Sequence, residues 1–456
     1  MLRRYIDALV GKGRRSPFEI KAALLSSSII FVFVLVPVIA LSQGDTTKRL
    51  PGSDTLRLEP DGTDGMFNVI RPKDIPADKL PPNEFKGKYT TFKIGLGYIH
   101  DFTTYIQDDV FKKQMDSANL DVYPKGKARD FRILGSGVLA TKRYLAFKFA
   151  YMYDGDKDTW LVRETGLTIG VPELAGHIFL GRTKEGFSMV KVMNGHSPWG
   201  YERQMALDPI PILADGIKWM GYLPKSRIFW NLGAFNDFIS KGQGFSTFES
   251  QYVARIGWLP INDKNTNDLL HIAVNLRYGK PNNGEFSLKS RPESNTTPQI
   301  INTGVFKTDH SSHIGGEIYY RKSRFMIGSE VIMHNFYSDE FENHRFWGGS
   351  LDITYSLTGP VRPYKTDGSI LGFVPVRKSV FKGGLGEFEA VLRLSNFDLD
   401  DRSVHGGKFW RLTPMVNWYL TRNLRMELIY GYGVLDRFGM KGHVQFFESR
   451  LQLTVL

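Results

Sequence analysis

Apolar and polar residues alternate with a period of two over most of the chain after residue 89. In one stretch, Leu270, Ile272 and Val274 alternate with His271 and Asn275. Strict alternation is typical of strands that bury one face. Two stretches, 160–170 and 345–357, alternate less regularly. Sixteen strands are predicted, at residues 89–105, 131–140, 143–153, 160–170, 175–183, 215–223, 226–236, 251–260, 268–279, 311–322, 324–336, 345–357, 384–397, 408–420, 423–435 and 443–455.

The predicted strands are long enough to cross a membrane. Tilted membrane strands need about ten residues, whereas the strands of a soluble β-sandwich, the alternative, have about five or six. Only helices and closed barrels satisfy every backbone group in lipid. The pattern therefore predicts an all-β fold, a transmembrane antiparallel β-barrel of 16 strands spanning residues 89–456. Aromatic residues that prefer membrane interfaces lie near strand ends, among them Trp219, Trp230, Trp258, Trp410, Trp418 and Tyr419.

The connections between the predicted strands differ greatly in length. Very short turns, such as Lys322-Ser323, contrast with long connections. Outer-membrane barrels place short turns on one rim and long loops on the other, and we expect the same layout here. The long connections are 106–130, 184–214, 280–310 and 358–383.

The first 42 residues resemble a secretory signal peptide. Six basic residues precede the apolar stretch Ala22–Leu41, and Ala40 and Ser42 place small residues where a signal peptidase cleaves. An uncleaved transmembrane anchor is the alternative, because about 20 apolar residues can span a bilayer. Cleavage after Ser42 would leave a net charge of +8 from the original +12. Residues 43–88 are polar and rich in proline, which predicts a flexible lead-in.

Composition excludes several kinds of site. The chain has no Cys, which rules out disulfides, thiolate metal sites and Cys nucleophiles. Its positive net charge is compatible with nucleic acid, an anionic membrane surface or an anion-attracting lumen; export makes nucleic acid improbable. No cofactor motif is present, since Gly95-x-Gly97 lies within a predicted strand and begins no helix. His310 and His313 could bind a metal, but solvated residues of a surface loop are the simpler interpretation.

Three segments resemble the phosphate-selective porin family, the porin O and P type. They are Phe179–Ser188 with Glu202-Arg203, then Thr358–Tyr364, and then Gly386–Ser395 with Asn417–Leu420 and Arg450–Gln452. The resemblance covers most of residues 89–456 and implies a sixteen-stranded barrel, a homotrimer and basic residues lining an anion-conducting lumen. The chain departs from the family pattern at Pro360, where an acidic residue is usual.

Strand parity assigns the lumen residues independently of this resemblance. A Lys or Arg on the lipid face costs about 2–4 kcal/mol at the midplane, so mid-strand charges should point inward. Arg and Lys rings select anions. Glu317, Glu330, Glu387, Glu389, Glu427 and Glu448 share this parity, so an Arg–Glu ladder with little net field is the alternative. The predicted lumen cations are Lys93, Lys148, Lys218, Arg255, Arg277, Arg321, Arg393, Arg411 and Arg425.

The connection 184–214 is the candidate constriction loop. It is long, it follows a strand of the first family segment, and the resemblance implies that it folds into the barrel. Its basic residues would raise the local anion concentration in a narrow neck, although they could equally be ordinary solvated loop charges. The candidate anion-binding residues are Arg182, Lys184, Lys191 and Arg203, opposed by Glu185, Glu202 and Asp208.

These patterns predict a passive porin of a Gram-negative outer membrane that prefers small anions, with phosphate among the candidates. A non-selective or sugar-type porin, an outer-membrane hydrolase and a structural barrel with a plugged lumen are the alternatives. The sequence marks no Ser as a nucleophile, so no enzyme activity is expected. The expected partners are small hydrophilic solutes, outer-membrane lipid and other copies of the chain.

Overall fold

The structure is a computed structural model that describes residues 81–154, 159–239, 241 and 247–456. The predicted signal peptide, 1–42, and most of the predicted lead-in, 43–88, lie outside the described residues. Of the described helices, none is both long and apolar enough to cross a membrane.

Sixteen antiparallel strands close into a barrel, as the sequence predicts. Five further strands are short and are not among the sixteen strands of the barrel wall: β1, β11, β12, β16 and β17. In chain order the strands are β1 (Glu84–Lys86), β2 (Thr90–Gln107), β3 (Lys125–Leu139), β4 (Leu145–Asp154), β5 (Thr159–Val171), β6 (Gly176–Thr183), β7 (Ala214–Leu223), β8 (Ile228–Asn236), β9 (Phe248–Asp263), β10 (Asp268–Pro281), β11 (Glu285–Ser290), β12 (Ile301–Lys307), β13 (His310–Lys322), β14 (Phe325–Tyr337), β15 (His344–Ser356), β16 (Tyr364–Lys365), β17 (Ile370–Leu371), β18 (Glu387–Asp401), β19 (Val404–Tyr419), β20 (Leu424–Arg437) and β21 (Met440–Val455).

The first and last long strands close the barrel. β2 pairs with β21 from Leu96 opposite Val455 to Gln107 opposite Val444. Because β21 ends opposite Leu96, the edge of β2 at residues 91–93 stays open, and β1 pairs there. The end of the predicted flexible lead-in therefore forms a strand, which the sequence did not predict.

Side chains alternate between a lipid-facing and a lumen-facing side. On β10, Val274 and Leu276 face outward and are 52% and 49% exposed, whereas Asn275 and Arg277 face inward and are buried. The irregular stretch 160–170 has a physical cause. A register shift between β4 and β5 interrupts the alternation, so that both Arg163 and Glu164 have inward contacts.

The fifteen connections alternate between two rims because every strand pair is antiparallel. We name the rim with the short connections 140–144, 172–175, 224–227, 264–267, 323–324 and 420–423 the turn rim, and the opposite one the loop rim. Segment 357–386 joins β15 to β18 and lies on the turn rim. The prediction that short turns and long connections lie on opposite rims is therefore wrong for this segment, and also for the two-residue turns 402–403 and 438–439 of the loop rim. The length of a connection does not reveal the rim on which it lies.

Three long segments enter the barrel instead of lying outside it. Segment 184–213 contains the short helix α2 (Met189–Val192), segment 282–309 contains β11 and β12, and segment 357–386 contains β16 and β17. Each carries apolar side chains that need burial, and these form one interior cluster with inward residues of the wall. The loop rim also carries helix α1 (Asp109–Ser117), which packs on β21.

Candidate pore constriction

Segment 184–213 crosses the lumen because its backbone is fixed to the far wall. The backbone N–H of Ser188 donates to Asn275 Oδ1 at 3.0 Å, and its hydroxyl donates to Glu330 Oε2 at 2.5 Å. Val190 N donates to the other oxygen of Glu330 at 3.2 Å. One inward carboxylate of β14 therefore fixes the start of α2 inside the barrel.

The later part of segment 184–213 is fixed through its carbonyl oxygens. Arg393 Nη1 donates to Glu202 O at 2.7 Å, and Arg425 Nη1 donates to Pro198 O at 2.9 Å. His334 Nε2 lies 2.9 Å from Ala206 O. These donors satisfy carbonyls that would otherwise be buried without partners.

Residues of the second family segment, Thr358–Tyr364, hold the turn-rim segment 357–386 inside the barrel. Arg362 makes a bidentate pair with Glu389 at 3.0 and 2.8 Å, and it also donates to Ser197 O of segment 184–213. Tyr364 Oη lies 2.8 Å from His271 Nδ1. Two segments that enter from opposite rims therefore meet at one guanidinium.

The structure places all nine predicted lumen cations on the inward side, but most are already engaged. Arg255 pairs with Glu317 at 2.8 Å and donates to Ser369 O at 3.0 Å. Arg411 pairs with Glu448 and donates to Pro292 O at 2.5 Å. At both positions, an acidic side chain neutralises the arginine, and the arginine in turn donates to a backbone carbonyl of an interior segment.

The other predicted lumen residues on this wall are also engaged, although Arg321 has no ion-pair partner among the described residues. Arg321 donates to two carbonyl oxygens, those of Asn267 and Arg362. The Arg–Glu ladder kept as the alternative therefore describes the wall from β9 to β21. The remaining pairs are Arg277 with Glu185 at 2.6 Å, Arg393 with Asp352 at 2.7 Å, Arg425 with Glu427 at 3.3 Å and, at the turn rim, Lys93 with Glu84 at 2.9 Å.

Three of the four predicted constriction cations are fully engaged within the fold. Arg182 pairs with Asp215 at 2.7 Å, Lys184 Nζ donates to Met193 O at 2.6 Å, and Lys191 Nζ donates to Ile210 O at 2.6 Å. All three are buried. The physical reason is that a segment folded into a barrel must find donors for its own carbonyls, and these side chains supply them.

Arg203 differs from the other three. It is partly exposed, and among the described residues its hydrogen bonds go only to backbone carbonyls, at 3.3 to 3.5 Å. It lies within electrostatic reach of Arg129 and Arg163. Arg163 contacts Met152 Sδ at 3.1 Å and forms no ion pair among the described residues. Arg129 pairs with Glu202 at 2.5 Å and is 19% exposed.

Two lysines extend this group of cations along the same wall. Lys148 pairs with Glu164 at 2.9 Å, and its Nζ lies 4.9 Å from the ring centre of Phe179. Lys218 Nζ lies 5.6 Å from the same ring. We name Arg129, Lys148, Arg163, Arg203 and Lys218 the cation wall; four of them lie on strands from β3 to β7, and Arg203 lies on segment 184–213.

The charges at the neck persist at neutral pH. Burial raises the pKa of Glu202, but Arg129 and Arg450 outweigh it and lower that pKa to about 2. Burial, and then Arg129, lower the pKa of Arg203 to about 10, so it stays protonated. Asp208 differs, because desolvation inside the barrel raises its pKa to about 7, even though its side chain is exposed.

A cavity of about 690 Å³ opens at the turn rim below the cation wall. His177 lines it, two residues before Phe179 on β6. Tyr144, Tyr222 and the basic residues Lys142 and Arg143 complete one side, and segment 357–386 bounds the other.

Sequence reasoning missed Arg129 and Arg163. Arg129 precedes the predicted start of its strand, and Arg163 lies at the register shift where parity fails. His313 was placed in a surface loop, but it is fully buried on β13, with Nδ1 2.7 Å from His334 Nδ1. No group of three or more His, Cys, Asp or Glu side chains in the described ranges could hold a metal ion.

A sixteen-stranded barrel with a lipid-facing apolar surface and inward-folded segments defines an outer-membrane porin. The chain belongs to the family of phosphate-selective porin O and P, whose model matches residues 175–454. It therefore resides in the outer membrane of a Gram-negative bacterium.

Solved structures show the same fold at low sequence identity. An anion-selective porin from Comamonas acidovorans is 11% identical, with a TM-score of 0.51 over 80% of this chain and 100% of that one. The trimer form of OmpT from Vibrio cholerae is 12% identical, with a TM-score of 0.51 over 80% and 99%. The outer membrane channel DcaP of Acinetobacter baumannii is 10% identical, with a TM-score of 0.52 over 81% and 99%.

One curated relative matches part of the chain. An uncharacterized protein of Caulobacter vibrioides is 28% identical over 138 residues, which is 30% of this chain and 27% of that protein.

Proposed function

We propose that this porin is a passive channel that prefers small anions, with phosphate or related oxyanions as its solutes. The observation that supports this most directly is the imbalance of charge across the neck. Along the wall from β9 to β21 the predicted lumen arginines other than Arg321 pair with acids, whereas the cation wall sets five basic side chains against Glu164, Glu202 and Asp130. The excess positive charge therefore lies on the side of the barrel formed by β3 to β7.

The proposed mechanism is electrostatic and involves no covalent step. Charges lining a narrow passage with low-dielectric walls focus the field and raise the local concentration of counter-ions. The screening length is about 10 Å at about 0.1 M salt, so an excess within the neck acts mainly on ions that have entered it. Arg129 pairs with Glu202 and Lys148 pairs with Glu164. These carboxylates keep anion binding weak enough for release.

Oligomeric state and lipid contact belong to the same proposal. We propose a homotrimer in outer-membrane lipid, supported by the resemblance within the family and by the OmpT fold relative, which has been solved in a trimer form. A general or sugar-type porin is the main rival, since it would share the barrel but lack anion preference.

Reversal potentials of the full-length protein in planar bilayers under a KCl gradient test the proposal. The wild-type channel should show anion preference, and Arg163→Glu should lower or reverse it because that guanidinium pairs with no carboxylate in the described chain. Arg227→Glu, at an exposed turn outside the lumen, is the matched control and should leave selectivity unchanged. A wild-type potential of zero would instead support a non-selective porin.

A further inference from the structure

Two arginines converge on one glycine at the turn rim, away from the pore constriction. Arg324 lies in the turn between β13 and β14, and Arg377 lies in segment 357–386. Arg324 Nη2 is 3.3 Å, and Arg377 Nη1 is 3.5 Å, from the point where a Cβ on Gly359 would stand. Because Gly359 has no side chain, both guanidinium groups can lie against its backbone at this one point.

The backbone conformation fixes the position of Gly359. Gly359 has a φ of +121°, which a residue with a side chain rarely adopts. Its N–H donates to Ser356 Oγ at 3.0 Å, and Ser356 also donates to Pro360 O at 2.7 Å. The turn is thus held from the end of β15, and its open side faces the arginines.

The charge around Gly359 is not balanced. Arg377 pairs with Glu387 at 3.0 Å and donates to Thr358 O. Arg324 is exposed, and within the described residues its guanidinium has no ion-pair partner. Pro360, the departure from the family pattern, brings no carboxylate after Gly359. One acid therefore faces two guanidinium groups.

An oxyanion fits these features. Guanidinium groups bind phosphate oxygens through paired, charge-assisted hydrogen bonds, and one oxygen placed beside Gly359 would meet both. The surroundings are those of a membrane interface, because Phe325 is 40% exposed and Leu357 is 50% exposed on the outward side.

We infer that Arg324 and Arg377 form a binding site for a phosphate group at the turn rim, separate from the neck. The group could come from the headgroup of an anionic phospholipid or from free phosphate near the pore mouth. Both sources present the same phosphate oxygens, so the two arms of the experiment below are needed to distinguish them.

The test compares full-length protein with Arg324→Gln and a matched control, Arg227→Gln, which removes an exposed arginine from another turn of the same rim. In the lipid arm, native mass spectrometry measures binding of phosphatidylglycerol against phosphatidylcholine. In the solute arm, calorimetry in neutral detergent measures binding of inorganic phosphate. Loss of one charge-assisted contact at an exposed site should weaken binding about fivefold.

The two arms separate the sources. Weaker binding of phosphatidylglycerol in Arg324→Gln but not in Arg227→Gln assigns a lipid headgroup, and weaker binding of inorganic phosphate alone assigns the solute. Gly359→Ala, whose methyl group would crowd both guanidinium groups but keep both charges, should lower the same binding. Equal binding by Arg324→Gln and Arg227→Gln in both arms would overturn the site, whatever the selectivity of the neck.

Discussion

At the scale of single residues, arginines of the same inward parity serve two purposes. Arg411 is buried, pairs with Glu448 and donates to a loop carbonyl, so it stabilises the fold. Arg163 has no such acid among the described residues and faces the neck. Breaking a buried pair by removing one partner costs about 3–5 kcal/mol, so substitution of Arg411 should damage folding before it reports on selectivity.

Asp208 makes the anion preference sensitive to pH. Desolvation inside the barrel raises its pKa to about 7, with Glu293 and Glu202 adding to the rise and Ser290 and Lys191 opposing it. A carboxyl with a raised pKa loses its negative charge as the pH falls through that value. Anion preference should therefore increase between pH 8 and pH 6, measured as the reversal potential in a KCl gradient.

Asp208→Asn supplies the control for this pH effect. It removes the titrating group and keeps the hydrogen bond that Ser290 Oγ donates at 2.6 Å. The variant should show the low-pH selectivity of the wild type throughout this window. A pH response that survives in the variant would assign the effect to another group.

At the scale of elements, the interior segments are positioned by single side chains of the wall. Segment 357–386 depends on Arg362, which joins Glu389, Tyr419 and a carbonyl of segment 184–213. The apolar pair Ile370 and Leu371 of β17 is buried beside it. The segment thus stays in the lumen because this ion pair, the contact of Tyr364 with His271 and the bond from Arg255 to Ser369 O hold it there, together with a small apolar contact.

Removal of Arg362 should release the turn-rim segment. Arg362→Met leaves Glu389 buried without its cation, which should cost about 3–5 kcal/mol in denaturant unfolding and enlarge the single-channel conductance. Arg362→Met combined with Glu389→Gln should recover part of the stability but keep the larger conductance. An unchanged conductance in both variants would show that this segment does not narrow the pore.

At the scale of the whole molecule, the barrel supplies a rigid wall and the charges differ around its circumference. The neutral ladder and the cation wall lie on opposite sides of segment 184–213, so the neck has a transverse asymmetry of charge. Such an arrangement depends on closure of β2 onto β21, since an open sheet would not bring these sides face to face.

Assembly is also a property of the whole molecule. Native mass spectrometry of protein extracted in mild detergent should give three times the mass of one chain, and heating in dodecyl sulfate should convert this species to the monomer. A single-chain mass under mild conditions would contradict the proposed homotrimer.

Much of the architecture follows from the sequence alone. Alternation with a period of two is a local signal, because each strand in lipid must turn one face outward regardless of its neighbours. All sixteen barrel strands were predicted on this basis. The strands β1, β11, β12, β16 and β17 were not, since they are short and their pairing depends on edges and space that the barrel provides.

The sequence by itself therefore determined the barrel, its strands and the inward direction of its charges. Only the tertiary structure decided which charges remain available to a solute. Arg255 and Arg163 are equally basic in the sequence, but one pairs with Glu317, 62 residues away, and the other forms no ion pair in the described chain. Such pairings join residues that are distant along the chain, and closure of the barrel brings them together.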